Sequence, residues 1–166
     1  MVNGAGFVAT SVVQFNGVNR PTTFVSETKL TAQIAAEDIA SAATAAIRVV
    51  SLQPGGGASN EVTLTIANVV PVITSLNPAV VAKGTSGFTL TVNGTGFVQG
   101  AQIAVNGTPR LTTFVNNTQL TAQITTAEVA NLGSLNIQVL NPAPGGGASN
   151  IVALPIRDRN PLPRLV

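Results

Sequence analysis

Three acidic residues are the strongest candidates for catalysis in this chain. Glu37 and Asp38 form its only adjacent acidic pair, and Glu128 stands 90 positions after Asp38. Neighbouring carboxylates can act as a general acid and a general base in hydrolysis. Acids in the first turn of a helix also stabilise its N-terminus, where the helix dipole is positive. Because Glu128 lies in a short helix-forming stretch, TAEVANL, we interpret these acids as helix-terminal residues rather than as a catalytic dyad.

Arg20 and Arg110 are the candidates for ligand binding. They occupy equivalent positions, and each follows an Asn-Gly dipeptide that is typical of a tight turn. A repeated arginine can mark a repeated contact with a ligand, but a solvated cation at the end of a strand explains the same pattern. We favour the solvated cation and keep both arginines as candidate ligand residues.

The composition excludes several kinds of active site. The chain contains no His and no Cys, which excludes Ser-His-Asp triads, thiol nucleophiles and most zinc sites. No stretch gathers the several carboxylates of a calcium-binding loop. The glycines at residues 55–57 lack the Lys of a phosphate-binding loop and fall between predicted strands. The sequence therefore predicts no catalytic, metal-binding or cofactor-binding residues, and no enzymatic activity.

Charge and aromatic content exclude further partners. Eight Lys and Arg residues are scattered singly through a chain of net charge +2, which gives no electrostatic footprint for nucleic acid. The chain has no Trp, no Tyr and only six Phe, so it offers no aromatic platform on which a sugar could stack. No apolar run approaches the roughly 18 residues of a membrane span. We expect neither nucleic-acid binding nor membrane insertion.

The candidate residues lie in a sequence that repeats itself. The phrase PGGGASN occurs at residues 54–60 and again at residues 144–150, 90 positions later. VNGAGFV and LTAQI recur at the same offset, the first with one substitution. A self-match at one fixed period is the signature of tandem modules. We expect repeat 1 over residues 1–68, repeat 2 over residues 69–158, and a linker with the first strand of a next repeat over residues 159–166.

Within each repeat the hydrophobic pattern is that of β-strands. Leu120, Ala122 and Ile124 alternate with Thr121 and Gln123, which is the period of a half-buried strand. Six or seven such segments with Gly and Asn turns predict an all-β chain that folds as antiparallel β-sandwiches. Further residues are assigned to the core, namely Ile137, Val139, Phe7, Phe24, Phe88, Phe97 and Phe114, whereas Gln138 is expected in solvent.

Two local features interrupt this pattern. Residues 126–132 are expected to form a short connecting helix with Thr126 as its N-cap, which Gly133 ends. Asn93-Gly94 is expected to end the strand that contains Val92, because Asn and Gly favour turns.

The order of these motifs resembles that of the IPT/TIG domains, which are immunoglobulin-like sandwiches. The resemblance rests on PVITSLNPAVVAKGTSGFTLTVNGTGFV from Pro71, on VNGTPR from Val105 and on VLNPAPGGGASNIVALPI from Val139. It implies two tandem immunoglobulin-like antiparallel β-sandwiches, the first of which lacks its opening strand. Similar family members occur in bacterial secreted and surface proteins, in polysaccharide-acting enzymes, and in animal receptors and transcription factors. The resemblance implies a bacterial extracellular or cell-surface location, although the fold does not settle the function.

Repeat 1 has no counterpart of the opening strand of repeat 2, because Met1 matches Thr91. A sheet edge left open in this way invites another strand. We expect the acceptor edge at Met1 and Val2. The sites that repeat 1 lacks, all expected to be buried in repeat 2, are those of Val72, Ile73, Leu76, Phe88 and Leu90.

One further segment resembles VPVIT, the stretch from Val70 with which the opening strand begins. Two accounts fit it. Either the sequence is a window cut from a longer array, or this segment of one chain completes repeat 1 of a neighbouring chain and builds a filament. The candidate strand donor consists of Leu162, Pro163, Arg164, Leu165 and Val166.

The hypothesis that the sequence favours is a non-catalytic structural repeat module, which acts as a spacer, stalk or filament subunit of a bacterial extracellular or cell-surface protein. Its partners would be neighbouring repeats or identical subunits arranged head to tail, and it needs no cofactor. The alternative is a carbohydrate-binding or adhesive accessory module of a secreted enzyme, in which Arg20 and Arg110 would contact a polysaccharide.

Overall fold

The chain forms two compact units that are built almost entirely of β-strands. The computed structural model describes residues 1–52 and 56–158. Unit 1 is Met1–Ala67 and unit 2 is Asn68–Val166. In each unit, two sheets enclose an apolar core. The predicted fold class is therefore confirmed.

The strands of unit 1 form two antiparallel sheets. Among its described residues these strands are β1 (Val2–Asn3), β2 (Val12–Phe15), β3 (Val18–Asn19), β4 (Thr22–Ser26), β5 (Lys29–Ala32), β6 (Ala43–Val50) and β7 (Val62–Ile66). One sheet has the order β1-β5-β4 and the other the order β3-β2-β6-β7. A turn of 3-10 helix, Ala36–Ile39, connects β5 to β6.

Unit 2 follows the same plan and adds strands at the sheet edges. Its described strands are β8 (Val72–Asn77), β9 (Val81–Ala82), β10 (Phe88–Thr95), β11 (Gln102–Val105), β12 (Thr108–Pro109), β13 (Thr112–Asn116), β14 (Gln119–Ile124), β15 (Gly133–Asn141), β16 (Gly147–Ala148) and β17 (Val152–Arg157). The first sheet has the order β13-β14-β10-β8, and the second has the order β12-β11-β15-β17-β9 with β16 beside β15. The β17–β9 pair is parallel. Unit 1 has no described counterpart of β8, which is the opening strand that the sequence predicts it to lack.

Corresponding strands of the two units pair in the same register. Phe24 is opposite Leu30 across β4 and β5, and Phe114 is opposite Leu120 across β13 and β14. Both ladders shift by one residue directly afterwards. Because a slip of one residue would move every side chain to the other face of its sheet, the shared register shows that the repeated sequence encodes one backbone.

The core of unit 2 confirms the predicted strand faces. Leu120, Ile124 and Ile137 are almost completely buried, whereas Gln123 is exposed. Gln138 was expected to face solvent, but it is half-buried. The reason is a hydrogen bond of 2.8 Å from its Nε2 to the carbonyl oxygen of Ser149, which holds the side chain against the neighbouring hairpin.

The predicted connecting helix is a single turn of 3-10 helix, Thr126–Val129, and its N-cap is Thr125 instead of Thr126. Thr126 has another role, since its Oγ1 accepts a hydrogen bond of 3.0 Å from the backbone N–H of Gly87. A four-residue connector suits the tighter 3-10 geometry, which is used in short pieces.

Asn93-Gly94 does not end its strand, contrary to the prediction. Strand β10 continues to Thr95 through a register shift between Asn93 and Gly94. A Cβ atom on residue 94 would lie 2.0 Å from the carbonyl oxygen of Val72. Glycine is therefore needed here so that β8 can approach, which is a common role of glycine inside a strand.

Four apolar side chains are less buried than predicted. Phe88 and Phe114 are half-buried against the core of unit 2. Phe24 is 37% exposed because its strand, β4, lies at the edge of its sheet. Val72 is 46% exposed because it alternates along β8 with the buried Ile73 and so faces outward.

Candidate functional site

In each unit the chain passes from one sheet to the other and later returns, and an ion pair joins these two connections. Arg20 makes this ion pair in unit 1, and Arg110 makes it in unit 2. Nη2 of Arg20 donates to Oδ1 of Asp38, and Nη2 of Arg110 donates to Oε1 of Glu128. Each arginine follows a strand of one sheet, and each acid lies in the 3-10 turn that leads back to it. The arginine side chains are 20% and 34% exposed. They are thus ion-paired residues rather than the solvated cations that the sequence suggested.

The same two acids cap their 3-10 turns. Oδ2 of Asp38 accepts a hydrogen bond of 3.1 Å from the backbone N–H of Ala35, and Oε2 of Glu128 accepts one of 2.9 Å from that of Thr125. Each carboxylate therefore uses one oxygen for the guanidinium and the other for the backbone. This arrangement agrees with the helix-terminal interpretation and is that of a structural carboxylate. Glu37 is exposed.

We expect Glu128→Gln to lower the free energy of unfolding of unit 2 by roughly 1–3 kcal/mol, between the values for exposed and buried ion pairs. The matched control is Glu61→Gln, because Oε1 of Glu61 lies 3.8 Å from Nη1 of Arg48 and the Glu61 side chain is 60% exposed, against 16% for Glu128. The control should change stability by less than about 0.5 kcal/mol. Chemical denaturation, followed by the NMR signals of each unit, measures the free energy of unfolding of both variants. An equal loss in the two variants would contradict the stabilising role of the Arg110–Glu128 pair.

Other repeated polar side chains also hold the backbone. Oδ1 of Asn106 accepts from the backbone N–H of Asn136 at 2.8 Å, and Asn16 makes the equivalent bond in unit 1. Oγ1 of Thr112 accepts from Ile103 N–H at 2.8 Å and donates to the carbonyl oxygen of Arg110. Thr22 makes the equivalent bonds in unit 1. These repeated residues serve the framework of each sandwich.

Two side chains of the second PGGGASN segment form hydrogen bonds that hold the opening strand of unit 2 in place. Oγ of Ser149 accepts from the backbone N–H of Val139 at 2.9 Å, which fixes the hairpin. The amide of Asn150 then holds one residue of β8 twice. Its Oδ1 accepts from the N–H of Ile73 at 2.8 Å, and its Nδ2 donates to the carbonyl oxygen of Ile73 at 3.1 Å.

Strand β8 has no described counterpart in unit 1, and a groove lies at the equivalent position. We call it the acceptor groove and define it by Val2, Gly4, Phe7, Val49 and Asn60. Cavities of about 360 and 180 Å³ occupy it. Among the described residues β1 pairs with β5 alone, so its other edge is open. Of the two residues predicted to form an acceptor edge, Val2 lies in β1 and Met1 directly precedes it.

Several apolar side chains of unit 1 are more exposed than their counterparts in unit 2. Leu64 is 41% exposed, whereas Leu154, the same residue type 90 positions later, is fully buried. Ile47 and Ala32 are likewise half-buried, although their counterparts in unit 2 are buried. The candidate strand donor, residues 162–166, lies outside the described residues.

Neither a metal site nor a membrane-spanning helix is found among the described residues. No group of three or more acidic side chains in this part of the chain could hold a metal ion. In the same part, no helix has the length and hydrophobicity needed to cross a bilayer.

One similar solved structure is a tandem of titin domains, I9–I11. The match has a TM-score of 0.35 and 14% sequence identity, and it covers 95% of this chain. The chain spans 58% of the length of that structure. No curated protein matches the sequence. The IPT/TIG domain family matches residues 71–155, just over half of the chain, and the protein therefore belongs to the IPT/TIG family.

Proposed function

We propose that this chain is a non-catalytic structural repeat module, which acts as a spacer, stalk or filament subunit of a bacterial extracellular or cell-surface protein. The observation that carries the proposal is the role of the repeated polar residues. Asn16, Thr22 and the Arg20–Asp38 pair hold the backbone of unit 1, as their counterparts do in unit 2. Residues kept in both copies thus serve the shape of the sandwich.

A module of this kind works through its shape and its edges. Charged residues make up only 8% of the chain, against about 25% in ordinary domains, so the surface is polar and nearly uncharged. Such surfaces suit repeated contacts between neighbouring modules. The extracellular bacterial location is supported by the resemblance to repeats of bacterial secreted and surface proteins.

Strand complementation is the mode of assembly in this proposal. Its support is the open edge of β1 together with the exposed Leu64 of β7, in the other sheet of unit 1. The donor is the segment of residues 162–166 of a neighbouring chain, and the result is a head-to-tail filament.

Light scattering of the 166-residue chain tests this assembly. We expect the mass to rise with protein concentration, and we expect the rise to disappear when residues 162–166 are removed, because the donor is then lost. A monomer of unchanged stability in both cases would exclude strand donation by this segment. Enzymatic turnover that is abolished by changing Glu37 or Glu128 would overturn the non-catalytic assignment.

A carbohydrate-binding or adhesive accessory module is the second candidate. The observation that favours it is a cavity of about 330 Å³ lined by Arg110, Thr113, Thr121 and Gln123. Because Arg110 also holds Glu128, its replacement would disturb the fold, and Gln123→Ala is the cleaner probe. Binding to a polysaccharide that Gln123→Ala abolishes would support this candidate, and flat isotherms against a polysaccharide panel would set it aside.

A further inference from the structure

Strand β13 forms an open edge of unit 2. It lies at the end of its sheet and, among the described residues, it pairs with β14 alone. An edge of this kind presents backbone N–H and carbonyl groups that can pair with another strand. Proteins usually protect such edges with proline or with charged side chains. The residues around β13 therefore decide whether this edge is protected.

Unit 1 protects the equivalent edge, and unit 2 does not. The four residues TTFV are identical in β4 and β13. The residues of the protective types around β4 are Pro21, Glu27 and Lys29. The residues 90 positions later are Leu111, Asn117 and Gln119. The proline and both charges are thus absent around β13, and the leucine that replaces the proline is 97% exposed.

The hydrogen bonds of unit 1 show which backbone groups of this strand face its open edge. The N–H of Gln33 donates to the carbonyl oxygen of Pro21 at 3.0 Å, and the register of β4 and β5 places these two residues opposite each other. Hydrogen-bonded and non-hydrogen-bonded pairs alternate along an antiparallel ladder. Thr23 therefore bonds to β5, whereas the backbone groups of Thr22 and Phe24 point outward.

We infer that two copies of this chain associate by pairing their β13 strands antiparallel, about a twofold axis at Thr113. Strand β13 has the register of β4, so the backbone groups of Thr112 and Phe114 point outward. An axis at Thr113 places Thr112 of one copy opposite Phe114 of the other. These residues can then bond to each other, and the same patch serves both copies, as in a closed dimer.

The same axis brings the exposed apolar side chains together. Phe114 packs against the core, and side chains alternate along a strand, so Leu111 and Thr113 lie on the outer face. Val115 is 48% exposed. With the axis at Thr113, Leu111 of one copy lies opposite Val115 of the other, and each covers the other. An axis one residue away would place Leu111 opposite Thr113 or Asn117, which are polar.

The paired segment is short, and the dimer should be weak. The register of β13 with β14 shifts directly after Phe114, so the regular edge ends there. Small interfaces are typical of transient complexes, and we expect the dimer to dissociate on dilution. The inference goes beyond the proposed head-to-tail assembly, because it uses an internal strand of unit 2 and none of residues 162–166.

A single cysteine at the axis tests the pairing. The chain has no Cys, so Thr113→Cys introduces one exposed thiol. Residues opposite each other in a non-hydrogen-bonded pair have Cα atoms about 4.5 Å apart, which a disulfide can span. On mild oxidation of the full chain, we expect a linked dimer to form at least about tenfold faster than with Thr23→Cys, the matched variant in β4. Equal rates would overturn the inference.

Opposite charges at the axis test its position. In Thr113→Lys two lysines would lie opposite each other, which is destabilising. We expect light scattering to show that Thr113→Lys and Thr113→Glu each lose the dimer. A mixture of these two variants should restore it with one chain of each kind, and Thr23→Lys should keep it. A dimer that persists in Thr113→Lys, or a mixture that stays dissociated, would refute the axis at Thr113.

The chain without residues 162–166 separates this inference from the proposed assembly. Linking through Thr113→Cys should be unchanged in that chain, because β13 is intact. If linking is lost there, the association depends on the donor segment and the pairing of β13 is refuted. If linking persists while no head-to-tail assembly is found, the pairing of β13 stands and the strand-donation proposal fails.

Discussion

Leu154→Ala is expected to lower the free energy of unfolding of unit 2 by about 2–5 kcal/mol, the range for a buried leucine whose removal leaves a cavity. Leu154 has no exposed surface and lies in β17 within the core cluster of unit 2. The facing sheet, which includes β8, closes over this core. Collapse around the missing side chain is therefore restricted.

The same substitution 90 positions earlier should cost much less. Leu64 is 41% exposed, so Leu64→Ala removes less buried apolar area and leaves a space that water fills. We expect a loss of about 1–2 kcal/mol from unit 1. NMR-monitored denaturation of each unit compares the two variants within one chain. Equal losses of unfolding free energy in the two variants would contradict the greater exposure of Leu64 in unit 1.

Gln123→Ala is the control for the strand register. Gln123 is exposed on β14, between the buried Ala122 and Ile124, and should contribute less than about 0.5 kcal/mol. A loss as large as that of Leu154→Ala would mean that β14 presents its other face to the core.

The repeat explains why the fold was predictable from the sequence. Two copies of one pattern show which positions stay apolar, and Leu30 and Leu120 are indeed buried in equivalent places. The predictions that were wrong concern residues whose conformation or burial depends on tertiary contacts. Asn93-Gly94 has the composition of a turn, but the approach of β8 makes Gly94 part of a strand. The exposure of Phe24 depends on the position of β4 in its sheet, which local sequence does not reveal.

The site was only partly predictable. The sequence identifies Arg20, Asp38, Arg110 and Glu128 as candidate residues, but it does not show that they form pairs. A signal was present, because these are the only charged positions that keep their charge in both copies. The arginine and the acid of each pair are 18 residues apart in sequence. Their contact cannot be predicted unless the two connections between the sheets are known to lie side by side. The sequence also does not reveal the hydrogen bonds between Asn150 and Ile73, because these residues are 77 positions apart.

The last prediction concerns the glycine over which β8 passes. A Cβ on residue 94 would lie 2.0 Å from the carbonyl oxygen of Val72 and 2.5 Å from Cζ of Phe97. The first contact is with backbone, and Phe97 is buried, so neither neighbour can move freely. We expect Gly94→Ala to lower the free energy of unfolding of unit 2 by about 3 kcal/mol, at the upper end of overpacking costs, and to loosen β8.

Gly4→Ala is the matched variant in unit 1. Its Cβ would lie 2.5 Å from Cζ of Phe7, but no described strand crosses it and Phe7 borders the cavity of about 360 Å³. The ring can therefore shift into open space, and we expect a loss of about 1 kcal/mol. Hydrogen exchange should show faster exchange of β8 amides in Gly94→Ala alone. An equal loss of stability in Gly94→Ala and Gly4→Ala would contradict the role of Gly94 in the approach of β8.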